Sequence, residues 1–504
     1  MLSHNLHTSS GSSPNKEESG AVSTIRFILD NRLVEIAFSE TGKLKPTTTV
    51  LNYLRSLPGH KGVKEGCGEG DCGACTVVIA TAAADGRLVY SAIDSCLFFL
   101  PMIHGKQLIT VENLAYIKEH EQILHPVQEI MVANNGTQCG YCTPGVVTSL
   151  FSLFKNHRKP SNATILEALT GNLCRCTGYQ SILESARKAC SSEANDHFSE
   201  NETAIANLLN QINSDKRTIE IHSASQTYYK PFTLTEALRI RGENPTAIIA
   251  AGSTDVALRQ TKKKELLPII LDISDVDELN YFIEEPDHWK LGSGIKLEAA
   301  RLWAESRLPA LCTMLNVFGS LQIRNVATLG GNVGAASPIG DTLPLLIALH
   351  AGVKVKSVAG ERIISAEQFI IGYRKTALRM DELIVEIIIP KPAPGVEIWA
   401  HKVSKRKDLD ISTLSAGFSL KPDNGRISEI ILAFGGMAEI PRRAFETEKF
   451  LSGKALTREN IEKAMKVMDS DFTPITDARA GAEYRTIVAK NLLLKFLTAF
   501  LIID

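Results

Sequence analysis

Apolar and polar positions alternate at the start of the readable chain. Thr24-Ile25-Arg26-Phe27-Ile28-Leu29 predicts a strand, Asp30-Asn31 a hairpin turn, and Val34-Glu35-Ile36-Ala37-Phe38 the returning strand. Thr49 to Leu57 predicts a short amphipathic helix ahead of a loop dense in glycine and cysteine. From Gln122 to Ala189 the period lengthens. Val146 to Phe154 and Ile165 to Leu169 are apolar at helical spacing, and a small helical bundle is expected. Ser191 to Tyr229 is polar, with only Ile205 to Ile212 suited to a brief helix, and reads as a linker. Pro231 to Pro390 mixes β-rich runs (Ala247 to Ala250, Ile269 to Ile273, Gly352 to Lys356, Leu383 to Ile389) with helical ones (Thr233 to Arg241, Asp341 to His350). An α+β or α/β domain is expected there. Lys391-Pro392-Ala393-Pro394-Gly395 breaks the chain again, and the remainder alternates strand and helix as a smaller α+β domain.

Several such domains fit the length: 504 residues allow three or four at about 100 to 200 residues each. Charge narrows the partners. With 55 basic and 56 acidic residues there is no broad footprint for nucleic acid or an anionic membrane. Met1 to about Ser23 lacks the apolar run of an export signal, and the first arginine is Arg26, so a flexible tail and a cytoplasmic location are expected. Leu492 to Ile503 is interrupted by Lys495 and is too short for a bilayer core of about 30 Å. It predicts a buried terminal helix. In a reducing compartment the ten cysteines read as metal ligands or core residues rather than disulfides.

Eight of those cysteines fall into two sets: Cys67, Cys72 and Cys75 with Cys96 downstream, and Cys139 and Cys142 with Cys174 and Cys176. Four thiolates per set is what a [2Fe-2S] cluster takes, and the first set has plant-type ferredoxin spacing. Its loop, Gly66 to Cys75, is four-tenths glycine, which lets backbone N–H groups turn toward a negatively charged cluster. In the second set, Pro144 starts a helix after Cys142 and Thr177-Gly178 breaks the chain after Cys176. Structural zinc also takes four thiolates; the x4-x2 loop favours the cluster. Cys190 and Cys312 stand apart and read as core residues.

Two further segments suit a dinucleotide: Ile249 to Val256, and Thr328-Leu329-Gly330-Gly331-Asn332 followed by Ser337-Pro338-Ile339-Gly340-Asp341. Glycine lets amides approach a pyrophosphate, Asn332 adds donors, and Asp341 offers an acceptor to ribose hydroxyls. Neither is a G-x-G-x-x-G, so a Rossmann fold is not indicated; taken alone, both serve equally well as turns.

The stretches Glu65 to Cys75, Gln138 to Gly145 and Gly171 to Tyr179 resemble the signatures of the molybdenum hydroxylases, a family that includes xanthine dehydrogenase and aldehyde oxidase. The resemblance runs from about Ser23 to the C-terminus. It implies a multidomain α+β chain: a tail over 1–22, a β-grasp 2Fe-2S ferredoxin domain over 23–120, a four-helix 2Fe-2S domain over 121–190 and a linker over 191–228. An α+β FAD-binding domain of the vanillyl-alcohol-oxidase/PCMH type follows over 229–394, then a C-terminal α+β domain over 395–504. It implies cluster ligation by Cys67, Cys72, Cys75 and Cys96, nearer the flavin, and by Cys139, Cys142, Cys174 and Cys176, nearer the molybdenum, with Gln138 beside the pterin.

The implied FAD contacts are Ile249, Ala250, Ala251, Gly252, Ser253, Thr254, Asp255 and Val256; Phe318; Thr328, Leu329, Gly330, Gly331 and Asn332; Asp341; Ile384; and Lys402. Phe318 and Ile384 would pack on the flavin and Lys402 would donate to it. Ser404 to Ile411 resembles a loop near the flavin and nicotinamide side, Tyr373 a tyrosine near the NAD site, and Phe434 to Ala438 completes the likeness. No residue of the chain is expected to act as acid or base on substrate. The molybdopterin domain is expected on a separate large subunit, as with the small subunit of bacterial xanthine dehydrogenases, in a dimer of heterodimers. Electrons from hypoxanthine or xanthine would pass through both clusters to FAD and then NAD, with oxygen an alternative acceptor. Two rivals remain: the electron-transfer subunit of a molybdenum hydroxylase acting on an aldehyde or N-heterocycle, and a zinc-stabilised interaction protein.

Overall fold

The computed structural model describes residues 21–191 and 196–501; the expected tail lies, but for its last two residues, outside them. The first sheet has the spatial order Arg32–Ala37, Thr24–Leu29, Gln107–Ile109, Thr76–Ala82, Leu88–Asp94. Its first hairpin turns on Asp30 and Asn31, both left-handed at φ 52° and 59°, as a tight two-residue loop requires. Helix Val50–Ser56 is capped by the Thr49 hydroxyl, which accepts from the Asn52 N–H, and packs Val50, Leu51 and Leu54 against Ile25 and Phe27. This mixed sheet with one helix across it is the β-grasp arrangement. The boundary expected at 120 falls in the turn of a hairpin between Tyr116–Lys118 and Glu121–Ile123.

Successive strand residues face opposite sides, and here each side belongs to a different neighbour. Phe27, Leu29, Val77 and Ile79 share a core with Ile219, Ile221, Tyr228 and Ile270 of the flavin region. Ile28, Val78 and Ala80 share another with helices Pro126–Ala133, Thr143–Asn156, Asn162–Ala168 and Gln180–Ser191. The ferredoxin-type sheet is therefore sandwiched between the four-helix bundle and the flavin region.

The expected linker over 191–228 is corrected by the structure. His197–Asn213 is a helix of 17 residues, capped by Asp196, and Ile219–Ser223 pairs with Gln226–Lys230 in a sheet. Phe198, Ile205, Leu209 and Ile212 repeat at helical spacing and are buried in the bundle core. Their polar neighbours masked that stripe in the sequence.

Among the described residues the flavin region is built on two larger sheets, beside a two-stranded pairing of Ile370–Gly372 with Lys375–Thr376. One, in the order Ile248–Ala250, Ile269–Asp272, Gln226–Lys230, Ile219–Ser223, begins with parallel pairs. The other is antiparallel: Phe282–Glu284, His288–Gly292, Leu383–Pro390, Gly352–Ser357, Gly360–Ser365. In the C-terminal domain strands and helices do not alternate. Glu397–Val403, Leu414–Asp423, Arg426–Gly435 and Arg442–Arg443 form one antiparallel sheet, then helices Phe445–Leu451, Arg458–Val467 and Ala482–Thr498 cover it. Among the described residues no helix is long and apolar enough to cross a membrane.

Candidate functional site

The glycine-rich loop after helix Val50–Ser56 is closed by the Lys64 N–H donating to the Ala74 carbonyl at 2.9 Å. Gly68, Gly70 and Gly73 take φ of 66°, 77° and 68°, and the inward turn aims main-chain N–H groups at sulfur. The Cys67 Sγ accepts from Asp71 at 3.3 Å and Glu69 at 3.4 Å, and the Cys72 Sγ accepts from the Cys67 N–H at 3.3 Å. A Cβ on Gly66 would sit 2.7 Å from the Cys72 Sγ. The Cys67 thiol is pushed down to about 5, first by the Cys72 thiol and then by those amides. The Cys75 thiol, beside Cys96, is raised by that thiol and by burial.

The second set lies between helix ends. Cys142 caps helix Thr143–Asn156, and Cys174 and Cys176 occupy the turn before Gln180–Ser191, where Gly178 and Tyr179 are left-handed. Cys139 pairs with Cys176 and Cys142 with Cys174. The Cys139 thiol is lowered by the Tyr141 N–H and by Cys176; burial raises Cys142 to about 12. Cys139, Cys176 and Gln138 are exposed, whereas Cys75, Cys96 and Cys174 are buried.

Each set thus divides into two thiol pairs: Cys67 with Cys72 and Cys75 with Cys96, then Cys139 with Cys176 and Cys142 with Cys174. Among the described residues no three His, Cys, Asp or Glu side chains are placed to hold one metal ion. Thiols gathered in this way fit a two-iron cluster, with two ligands to each iron. Cys190 lies in the bundle core, and Cys312 packs on the largest flavin-region core.

The two dinucleotide-type loops meet. Strand Ile248–Ala250 runs into Gly252, whose Cβ would lie 1.9 Å from the carbonyl oxygen of Val326, two residues before Thr328. Only glycine admits that approach. Ser253 is left-handed (φ 63°) and buried, and its hydroxyl has no partner in the chain, as a donor reserved for a ligand phosphate would. Thr328 caps helix Leu329–Gly334, its Oγ1 accepting from the Gly331 N–H at 2.9 Å. Gly330 is pressed against Ser293, and Gly331 is exposed. These features fit a pyrophosphate cradle: main-chain donors, a free hydroxyl and no side chains in the way.

Asp341 and Lys402, expected as separate contacts, are joined in a buried ion pair at 2.9 Å, and the Ser412 hydroxyl donates to the other Asp341 oxygen at 2.5 Å. Asn332 accepts from Thr342 at 2.6 Å. Ile384 is buried facing Gly334, while Phe318 is half-buried on the same core. Arg374, which the sequence reading left without a role, joins the exposed Tyr373 segment to Asp255 through an ion pair at 2.8 Å.

The flavin region and the C-terminal domain also reach the first cysteine loop. Lys262 Nζ donates to the Cys67 carbonyl at 3.0 Å and pairs with Glu69 at 3.2 Å; Arg406, in the Ser404 to Ile411 loop, pairs with Asp71 at 3.2 Å. Neither contact has a local sequence signal, since the partners lie 195 and 335 residues apart for Lys262–Cys67 and Arg406–Asp71.

Three family models match the chain in order. A [2Fe-2S] binding domain covers residues 110–187, the FAD binding domain in molybdopterin dehydrogenase covers 209–392, and the CO dehydrogenase flavoprotein C-terminal domain covers 399–500. Xanthine dehydrogenase of Emericella nidulans is 31% identical over 94% of this chain and 38% of its own length. The chain belongs to the molybdenum hydroxylases. Within that family, xanthine dehydrogenase 1 of Arabidopsis thaliana is also 31% identical, over 89% of this chain and 38% of its own length. The chain thus spans well under half the length of these relatives. A solved carbon monoxide dehydrogenase from Hydrogenophaga pseudoflava, lacking the Mo-pyranopterin moiety of the molybdenum cofactor, matches with a TM-score of 0.51 and 26% identity, over 53% of this chain and 94% of that one. Quinoline 2-oxidoreductase from Pseudomonas putida 86 shares the fold, with a TM-score of 0.50 at 24% identity over 54% of this chain and 95% of that one. The protein is an oxidoreductase of this family, with 2Fe-2S-binding and FAD-binding domains.

Proposed function

We propose that this chain is the electron-transfer part of a xanthine dehydrogenase, taking electrons from purine hydroxylation at a molybdenum site on a large partner subunit and delivering them to NAD. When bound, two [2Fe-2S] clusters supply one-electron steps and FAD the exchange with a two-electron acceptor. The residues assigned to them are the eight paired cysteines and the loops at Ile249 to Val256 and Thr328 to Asn332, with Phe318, Asp341, Ile384 and Lys402 around the flavin. The observation that carries the reading is the position of the Cys67 to Cys75 loop. Leu173 of the bundle donates to its Cys72 carbonyl at 3.1 Å, and Lys262 of the flavin region donates to its Cys67 carbonyl at 3.0 Å.

The chain's own groups orient and insulate. Lys262 holds the loop against the flavin region and Arg406 holds it against the C-terminal domain, and the Lys402–Asp341–Ser412 set fixes a buried charge pair beside Asn332. The exposed Gln138, Cys139 and Cys176 leave one cluster edge open to the molybdenum subunit. Relatives at 31% identity favour xanthine, and free cysteines suit a reducing cytoplasm. A second reading, another molybdenum hydroxylase, is favoured by the carbon monoxide dehydrogenase model that matches residues 399–500.

Copurification from the native host identifies the partner, and assays on the separated chain divide the reaction. The chain alone is expected to carry iron and FAD and to pass electrons from NADH to a dye, without converting xanthine to urate. Addition of the partner is expected to restore urate formation coupled to NAD reduction. Urate production by a partner-free chain, or a preparation without iron, would end the reading.

A further inference from the structure

Three domains meet at one buried amide. Gln322, on the short helix Leu321–Arg324 of the flavin region, has no solvent exposure. Its Nε2 lies 3.1 Å from each of three acceptors in the bundle: the Ser149 hydroxyl, the Ala168 carbonyl and the Asn172 Oδ1. Asn172, also buried, turns its own Nδ2 the other way, to the Gly73 carbonyl at 3.2 Å and the Thr76 hydroxyl at 3.1 Å. Beside this relay the Leu173 N–H donates to the Cys72 carbonyl at 3.1 Å. There is no slack. A Cβ on Gly73 would lie 2.1 Å from the Gly171 carbonyl oxygen, and one on Gly145 2.0 Å from that of Gly73.

We propose that Gln322 is a positioning residue for electron passage between the two cysteine sites. Together with the Ser149 hydroxyl, which donates to the same Asn172 Oδ1 at 2.6 Å, it fixes Asn172; Asn172 fixes Gly73, and the Cys72 carbonyl is thereby kept on the Leu173 amide. From the Cys72 sulfur to the Cys174 sulfur the route is then covalent except for that one hydrogen bond. One electron leaves the Cys174 site and enters the Cys72 site, with no proton moved and no bond broken. An apolar side chain of similar volume would fill the space but remove the donor that links the flavin region to Asn172, leaving the Ser149 hydroxyl to direct it; Gln322 acts through its Nε2 alone, its Oε1 having no partner among the described residues. The flavin region thus sets a step upstream of its own. The inference rests on the assignment of these cysteines to clusters.

The test uses the full chain with its cofactors, comparing wild type, Gln322→Leu and the milder Ser149→Ala. Iron and FAD content, the midpoint potential of each cluster, hydrogen exchange at the Leu173 amide and the rate of inter-cluster exchange after injection of one electron are measured on each. Gln322→Leu is expected to keep both clusters, FAD and both potentials, while the Leu173 amide loses protection and fast inter-cluster exchange is lost. Ser149→Ala removes the 2.6 Å hydrogen bond to the same Asn172 oxygen and is expected to move both in the same direction, and it carries the test if Gln322→Leu does not fold. An unchanged exchange rate in a variant whose Leu173 amide has lost protection overturns the role of the relay, as does a Leu173 amide unprotected in the wild type. A wild-type chain without iron overturns the cluster assignment itself, a distinct result.

Discussion

Lys230→Met probes the contact between the ferredoxin-type and flavin regions. The Lys230 ammonium is fully buried and meets Asp272 at 2.8 Å, Asp275 at 2.8 Å and the Ser274 hydroxyl at 2.9 Å; Lys106, from the ferredoxin-type sheet, meets Asp275 at 2.7 Å. Burial pulls the Lys230 ammonium toward its neutral form, but Asp272 and Asp275 outweigh that and hold its pKa above the ordinary value. Methionine fills the volume without the charge. Asp275 keeps Lys106. Among the described residues Asp272 then keeps hydrogen bonds from neutral donors, the Tyr228 hydroxyl at 2.7 Å and the Ser274 N–H at 2.9 Å, with the Lys106 and Lys296 ammoniums acting on it from farther off. Stranding one partner of a buried pair costs about 3 to 5 kcal/mol, and the retained Asp275–Lys106 contact places this case near the lower figure. Adding Asp272→Asn removes the stranded charge, so the double variant is expected to be more stable than Lys230→Met alone, with a coupling energy of about 1 to 3 kcal/mol. Urea unfolding followed by circular dichroism gives the stabilities, and hydrogen exchange in the strands Gln107–Ile109 and Gln226–Lys230 reports the two sides. A cost below about 1 kcal/mol for Lys230→Met, or strict additivity in the double variant, would refute the reasoning.

His104 is buried beside that network, accepting from the Arg26 N–H at 3.1 Å; desolvation first, then Lys230 and Lys106, push it down to about 4. The unfolded chain takes up a proton near pH 6.5 that the folded chain refuses, so stability is expected to fall by about 3 kcal/mol as pH drops from 6.5 toward 4. His104→Gln should flatten that slope in a pH series of urea midpoints. Gly252→Ala places a methyl 1.9 Å from the Val326 carbonyl oxygen and is expected to cost about 1 to 3 kcal/mol and to lower FAD content; a fully flavinated variant would count against the cradle. Cys72→Ser is expected to remove one cluster while most FAD remains, measured as iron and flavin on one sample; loss of FAD with both clusters intact would contradict the assignment.

Local signals in the sequence carried much of this. The x4-x2 cysteine spacing, the Asp30-Asn31 turn and the proline after Cys142 each report on a few neighbouring residues, and the turn and the helix start are found in the fold where they were expected. Helix His197–Asn213 escaped because its apolar stripe is thin and its polar residues dominate any window. The Asp341–Lys402 pair and the Gln322 relay escaped for another reason. Their partners lie 61 and 150 residues apart, and nothing in either segment alone specifies the other. Candidate flavin positions were legible as types of residue; the partner each would choose was a property of packing.

Helix His197–Asn213 has a consequence for supply rather than shape. It joins the cluster-bearing half of the chain to the flavin region while packed along both Thr24–Leu29 and Thr76–Ala82, and its Asn213 side chain donates to the Gly105 carbonyl at 3.0 Å. That helix is therefore a splint and not a tether. Two halves synthesised as one chain and held this way meet at an effective concentration that no pair of free subunits reaches, and in strict one-to-one ratio. Every ribosome that finishes this chain delivers the two halves already matched, however scarce the protein is in the cell.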